Sequence, residues 1–164
     1  MSRLLGQAIA YGIFIAVVGI FSVWPGYRLL GAQEAIVSLT FSHAADRIEE
    51  CRRLTQEELN ELPPNMRKPD DCPRERYPVH VELRIDDALV HSETALPSGM
   101  WSDGKANIYR RITVNAGDHE LFVGMNNSGS NNGFDIELRQ EIAIVPGQNL
   151  VITFDDLQKM FLIR

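Results

Sequence analysis

The chain has 164 residues, of which 22 are acidic and 16 are basic, so its formal net charge is −6. The acidic residues all lie at or after Glu34, whereas two of the basic ones, Arg3 and Arg28, precede it, which leaves −8 on the remainder. A surface of that charge repels nucleic acid and anionic lipid headgroups, and we expect neither as a partner.

The stretch Leu4–Trp24 contains no charged side chain. A helix needs about 20 mostly apolar residues to cross a hydrocarbon core roughly 30 Å thick. A core helix of this length would rarely be apolar on every face, and a cleavable signal peptide would have a small-residue cleavage site just behind its apolar region. The nearest such site, around Ala32, lies well downstream. We therefore predict an uncleaved signal-anchor over residues 4–24, preceded by a cytoplasmic tail of residues 1–3.

Two features of the anchor concern its surroundings. Trp24 and Tyr27 are expected in the headgroup layer, where Pro25-Gly26 ends the helix, and residues 25–33 form a tether. Small residues recur at three- and four-residue spacing and share one helix face, which another transmembrane helix can approach closely. They are Ala8, Gly12, Ala16 and Gly19. This face either docks on an integral membrane protein or reflects the abundance of Gly and Ala in membrane spans.

The exterior domain begins with a predicted strand over Glu34–His43, which is rich in β-branched and aromatic residues. From Ala44 to Leu62 the apolar residues recur at helical spacing among charges, and Thr55 with Glu58 forms a capping box. We expect a short helical insert over about residues 44–62, with a helix restart at Thr55. Pro63-Pro64 ends it, and a surface loop rich in proline and charge continues to Pro78.

Cys51 lies in this insert and Cys72 lies in the loop that follows. On the far side of a membrane the two are free to oxidise, and closing a loop of about 20 residues stabilises by ~3 kcal/mol in the chain-entropy model. We predict this disulfide, which favours a cytoplasmic N-terminus with the domain outside. In a Gram-negative host the protein would be a single-pass protein of the inner (cytoplasmic) membrane with its domain in the periplasm.

From Val79 to the end, apolar and polar residues alternate between turn signals such as Asp86-Asp87. Seven or so short strands of this kind indicate an antiparallel β-sandwich, and no strand–helix alternation favours a parallel sheet. The fold class is therefore mainly β, with one transmembrane helix followed by a sandwich over residues 34–164. The predicted strands are 79–85, 88–94, 108–114, 120–125, 134–144 and 150–154.

The stretch Val114–Leu121, VNAGDHEL, fits the pattern V-x-x-G-x-H-x-L. It resembles the strand–turn–strand of PEGA-type and related transthyretin-like β-sandwich modules, and the resemblance extends through Phe134–Ile144 at most. The tetrapeptide that names PEGA modules is missing, and the helical insert has no counterpart there. The resemblance implies an Ig/transthyretin-like sandwich that acts as a small, often tethered, non-catalytic module in surface or subunit contacts.

Two apolar stretches favour protein contact. The loop Leu96–Lys105 places Met100 and Trp101 among residues that do not form a core, and an exposed Trp beside Met is typical of interface anchors. The alternative is that Trp101 folds back over the end of the sandwich. The run containing Met160 and Phe161 is too apolar to lie free, so it either forms a last strand or docks on another subunit.

The sequence shows no motif of known chemistry, neither GxSxG, HExxH, a P-loop nor GxGxxG. Its histidines and methionines are dispersed, whereas a copper-delivery site would group them at short spacing. The four histidines are His43, His80, His91 and His119. We expect no enzymatic activity, no cofactor and no metal.

The expected function is that of a membrane-anchored accessory subunit or assembly factor of a larger inner-membrane complex. Respiratory or photosynthetic electron-transfer complexes are the natural candidates. The protein would sit in the lipid bilayer through its anchor and act by contact with integral-membrane subunits. Two alternatives stay open, a periplasmic metallochaperone or haem-handling factor, and a cell-wall or glycan-binding module in which Trp101 is the stacking platform.

Overall fold

The computed structural model describes residues 2–24, 26, 30–130 and 132–164, and the chain divides into two units at Gly31. The first unit contains helix α1, Ser2–Val23, none of whose residues is buried. Its 22 residues are long and apolar enough to cross a membrane. The expected headgroup position of Tyr27 and four of the nine tether residues, 25 and 27–29, lie outside the described residues. The orientation of the helix stays a prediction.

The second unit, from Ala32 to Arg164, is built from two four-stranded sheets. The elements of its described part are β1 (Glu34–His43), β2 (Arg52–Arg53), α2 (Gln56–Glu61), β3 (Asp70–Asp71), β4 (Val79–Ile85), β5 (Ala88–Ala95), β6 (Ala106–Asn115), β7 (Gly117–Asn126), β8 (Ile136–Ile144), β9 (Asn149–Asp155) and β10 (Met160–Ile163). Sheet 1 has the strand order β10-β9-β1-β6, and sheet 2 has the order β5-β4-β7-β8.

The core lies between the two sheets and takes alternate residues from each strand. In β4 the four apolar residues are buried, and the polar residues between them are half-buried on the outer face. Three rings from sheet 1, those of Phe41, Phe154 and Phe161, pack with centroids 5.3 to 6.0 Å apart. The period-2 alternation of strands such as β4 therefore gives the predicted sandwich-like pair of sheets, because these strands bury one face each; β7 differs, since its residues from Leu121 to Asn126 are all buried.

One strand pair departs from the predicted antiparallel order. β1 pairs with β9 in parallel, with Ile36 opposite Asn149 and Leu39 opposite Ile152. A parallel pair requires only a long connection between its strands, and here that connection is the whole chain from β2 to β8. The absence of short strand–helix–strand units therefore does not exclude a parallel strand pair.

The predicted helical insert over residues 44–62 is wrong in its first half. Only Gln56–Glu61 is helical, and Thr55 caps it in the expected capping box with Glu58. The segment before it is extended and lies against the loop that follows, through the β2–β3 pair and a bridge between Arg47 and Arg76. Cys51 and Cys72 form the predicted disulfide across this pairing, with Cα atoms 4.2 Å apart. The segment is therefore held by these cross-links and not by helical hydrogen bonds.

The stretch with the pattern V-x-x-G-x-H-x-L is a corner between the sheets rather than a hairpin within one. β6 belongs to sheet 1 and β7 belongs to sheet 2, and the chain changes sheet at Ala116 and Gly117. Gly117 has φ +147°, a conformation that L side chains rarely adopt. The resemblance to PEGA-type modules stays a prediction.

Candidate interaction surface

One end of the sandwich, where β1 ends, gathers loops from several elements; we call it the loop end. It contains the chain after His43, the loop 96–105 between β5 and β6, the loop after β7, and the turn between β9 and β10. Side chains link these segments, as when Lys105 Nζ lies 2.8 Å from Asp156 Oδ2. The loop 96–105 and the β9–β10 turn are therefore neighbours.

Four large apolar side chains at the loop end are exposed to solvent, and we call them the loop-end patch. They are Leu96, Met100, Trp101 and Leu157, with exposed fractions of 76, 91, 67 and 95 %. Single exposed apolar residues are common, but a group at one end of a domain is typical of an interaction site. Of the two alternatives for Trp101, the structure favours the exposed one, since the ring does not fold back over the sandwich.

The loop 96–105 holds Met100 and Trp101 at the corner of a tight turn. The Ser102 N–H donates to the Gly99 carbonyl, so these two residues are the central positions, whose side chains project outward. The loop is closed at its base by a 2.8 Å hydrogen bond from the Gly104 N–H to the Ser98 carbonyl. A Cβ at Gly104 would lie 2.7 Å from that carbonyl oxygen, which is why glycine is needed there.

Charged side chains brace this loop from the segment before β4. Arg76 donates from Nε to the Asp103 carbonyl at 3.0 Å and from Nη1 to the Ala45 carbonyl at 2.6 Å. Arg74 Nη2 lies 2.5 Å from Asp103 Oδ2. The loop is thus tied to the disulfide-linked segment and, through Arg76, to the chain just after β1, and its apolar tip is held in one arrangement.

A second group of polar contacts centres on the buried His43. Asp156 Oδ1 lies 2.6 Å from its Nδ1, and the Asn127 amide lies 2.8 Å from its Nε2. If the amide donates to Nε2, the Nδ1–H donates to Asp156. Burial raises the pKa of Asp156, but the hydrogen bonds from His43 and Lys105 outweigh it, so the pKa is lowered and the carboxylate stays charged. His43 therefore joins β1, the β9–β10 turn and the loop after β7.

The other predicted contact, at Met160 and Phe161, requires correction. The run forms strand β10 at the edge of sheet 1, so the last-strand alternative holds. Phe161 is buried in the core and is not available to a partner, whereas Met160 remains 44 % exposed. The alternation of β10 turns the two side chains to opposite faces, which the apolar run alone does not reveal.

Three of the four edge strands of the two sheets, β6, β5 and β10, are unsuited to pairing with a further strand. β6 places the charged Arg110 on its core-facing side, opposite the buried Leu39 but exposed at the sheet edge, and β5 places His91 and Glu93 on its core-facing side and carries an extra residue, Val90. β10 has only four residues. Inward charges, bulges and short edge strands all discourage strand addition, so at these three edges contact with a partner depends on side-chain surfaces; the fourth edge is the nine-residue β8.

The small residues of α1, predicted to share a docking face, lie on one helix as expected. A Cβ added at Gly12 or Gly19 would meet no atom within 4 Å. Docking of Ala8, Gly12, Ala16 and Gly19 on another helix stays a prediction, since the structure contains a single chain.

The histidines lie at separate places, each beside an oxygen-bearing side chain. The partners are Asp156 for His43, Thr94 for His80, Glu93 for His91 and Asp86 for His119. Among the described residues, no three His, Cys, Asp or Glu side chains are grouped so that they could hold a metal ion. The loop-end patch is thus the candidate site, and two of its members, Leu96 and Leu157, were missed because each stands alone in the sequence.

Comparisons with protein-family models, with curated proteins and with solved structures find no match to this chain.

Proposed function

We propose that the protein is a membrane-anchored accessory subunit or assembly factor of a larger membrane complex, and that it acts by protein contact. The observation that carries this proposal is the loop-end patch, which exposes a Trp, a Met and two Leu side chains on a braced turn. Trp is the residue type most often found at the energetic centre of interfaces, and Met adapts to irregular apolar surfaces.

The bracing of the loop supports binding in particular. Ordering a flexible loop on association costs free energy, and a loop already held by hydrogen bonds avoids most of that cost. Arg76 and Lys105 provide such bonds here. Burial of Trp101 alone would then contribute about 2 kcal/mol or more, which corresponds to roughly 30-fold in Kd.

The proposal includes a location. α1 holds the protein in the inner membrane with its N-terminus in the cytoplasm, and the disulfide-containing domain lies in the periplasm. The partner is an integral-membrane subunit of a respiratory or photosynthetic complex, because a domain on a short tether meets chiefly proteins of its own membrane. The small-residue face of α1 adds a second contact within the bilayer.

The experiment is capture of the tagged full-length protein from native membranes in mild detergent, with mass spectrometry of what co-purifies. We expect a stoichiometric set of integral-membrane subunits, weakened at least tenfold by Trp101→Ala and by the double change Gly12→Leu and Ala16→Leu. Leu89→Ala is the matched control, because Leu89 is also exposed but lies on β5, away from the loop end. Recovery of the wild type alone, or with only soluble proteins or wall fragments, would refute the proposal.

A further inference from the structure

The outer face of sheet 1 is distinguished by its lack of charge. Along each strand the outward residues alternate with the buried ones. Apart from Glu34, Asp155 and Arg164 at the strand ends, the outward residues of these four fully described strands include a single charged side chain, Arg111. The face is formed instead by hydroxyl and apolar side chains, including Ile36, Thr40, Tyr109, Thr113, Val151 and Leu162.

The outer face of sheet 2 has the opposite character. Its central strands carry ion pairs such as Arg84 with Glu82 at 2.9 Å and Arg139 with Glu120 at 2.8 Å. Glu137 and Glu141 add further carboxylates on β8. The chain as a whole is 23 % charged, so a solvated sheet face is expected to resemble sheet 2. The lack of charge on sheet 1 is therefore a property of that face and not of the composition.

The uncharged face is also shaped for contact and adjoins the loop-end patch. Tyr109 is 67 % exposed and borders a shallow depression of about 500 Å³ lined by Thr40, Ser42, Asn107 and Thr153. β6 follows directly on the loop 96–105 and β10 follows directly on the turn that holds Leu157, so patch and face are continuous. Depletion of charge with enrichment of Tyr, Trp and Met is the composition of interface centres.

We infer that the outer face of sheet 1 is buried, together with the loop-end patch, by one partner protein whose contact surface has an uncharged centre and a net positive rim. The inference rests on the proposed function and names the chemistry of its partner. Four strands about 4.8 Å apart present roughly 400 Å² of flat face, and the patch brings the total toward the ~800 Å² that each side of a stable interface buries.

The charge of the domain decides the kind of partner. Residues 34–164 carry −8, so a partner with basic residues around the contact is attracted over a distance of about 8 Å at physiological salt. The same domain of a second copy also carries −8 and is repelled. The centre of the face is hydroxyl-rich and free of carboxylates, so Arg111 is the charged side chain that such a partner has to accommodate.

The test compares two exposed threonines on edge strands. Thr113→Glu places a carboxylate on the uncharged face, and Thr94→Glu places one on the charged face of sheet 2. A third variant, Tyr109→Ala, removes the exposed ring. Each full-length variant is captured from native membranes with its partner, the partner is identified by mass spectrometry, and rebinding of the purified partner is measured at low and high salt. Thermal unfolding of each variant verifies that it is folded.

We expect Thr113→Glu and Tyr109→Ala to weaken rebinding at least tenfold, Thr94→Glu to leave it within twofold, and salt to weaken the wild-type complex. If both face variants bind normally while Trp101→Ala does not, the inference about sheet 1 is wrong and the proposed function stands. If Trp101→Ala also binds normally, the proposed function fails with it. If Thr113→Glu and Tyr109→Ala instead abolish pairing between two differently tagged copies of this chain and affect no other partner, the face is a self-association surface. That result would overturn the inference.

Discussion

The disulfide-linked insert is expected to open without unfolding the sandwich when its cross-link is removed. None of the residues from 46 to 76, all of which the structure describes, belongs to the buried core. The insert is held by the Cys51–Cys72 bond, the β2–β3 pair and backbone bonds such as that from the Leu54 N–H to the Pro69 carbonyl. The double change Cys51→Ala and Cys72→Ala removes the one covalent link.

The magnitude follows from the loop that the bond closes. A sequence separation of 21 residues corresponds to about 3 kcal/mol in the chain-entropy model, or roughly 150-fold in the opening equilibrium of the insert. Because the core is untouched, the melting temperature of the sandwich should fall by no more than about 2 °C.

Hydrogen exchange of the full-length protein in nanodiscs, followed by mass spectrometry, measures both effects at once. Peptides from residues 47–76 should lose protection by about two orders of magnitude, and peptides from β4 and β7 should keep theirs. The core variant Leu39→Ala is the control with the opposite pattern, since it removes a fully buried side chain at a cost of about 2–5 kcal/mol. Equal loss of protection in β4, β7 and the insert would refute the reasoning.

Three further predictions concern single residues. Both ring nitrogens of His119 face acceptors, and the hydrogen bond to Asp86 raises the pKa of His119. The resulting stabilisation is complete below the ordinary pKa of 6.5 and is lost as pH rises through the raised value, so thermal unfolding should show His119→Gln costing more near pH 6 than near pH 9. A Cβ at Gly124 would lie 2.5 Å from the Phe134 ring, so Gly124→Ala should cost about 1–3 kcal/mol in urea unfolding, and adding Phe134→Ala should cancel part of that cost. Arg110→Val should leave the melting temperature unchanged but promote aggregation in size-exclusion chromatography, because it removes the inward charge from an edge strand.

Strands such as β4 were predictable because they bury one face only. Val79, Val81, Leu83 and Ile85 alternate with polar residues, and all four are buried as their spacing requires. The turn at Asp86-Asp87 was predictable too, since these residues tolerate the positive φ of 53° and 62° that the turn needs. Such a turn can be predicted from the sequence because the residues that occupy it determine its backbone conformation.

The parallel β1–β9 pair and the extended segment before Thr55 were not predictable in the same way. In both cases the structure depends on contacts between residues far apart in sequence, Ile36 with Asn149 and Arg47 with Arg76. Apolar residues at helical spacing, such as Ile48 and Cys51, fit a short helix as well as an extended segment bound to a neighbouring loop.

The candidate site was half predictable. Met100 and Trp101 stand together in a loop, so their exposure had a local signal. Leu157 had none, because its turn and the loop 96–105 are far apart in sequence and only the fold makes them neighbours, as the contact between Lys105 and Asp156 across 51 residues shows. The lack of charge on sheet 1 had a signal in the hydroxyl-rich β1, but only the strand order shows that β6, β9 and β10 extend it into a face.

Site-specific photocrosslinking in native membranes tests the central claim most directly. A photoreactive residue replaces Met100, 91 % exposed at the tip of the loop-end patch, and in a matched control it replaces Thr94 on the charged face of sheet 2. We predict that position 100 forms a cross-link to one integral membrane protein and that position 94 does not. Equal cross-linking at both positions, or none to any protein at position 100, would contradict the proposal that this patch binds a membrane partner.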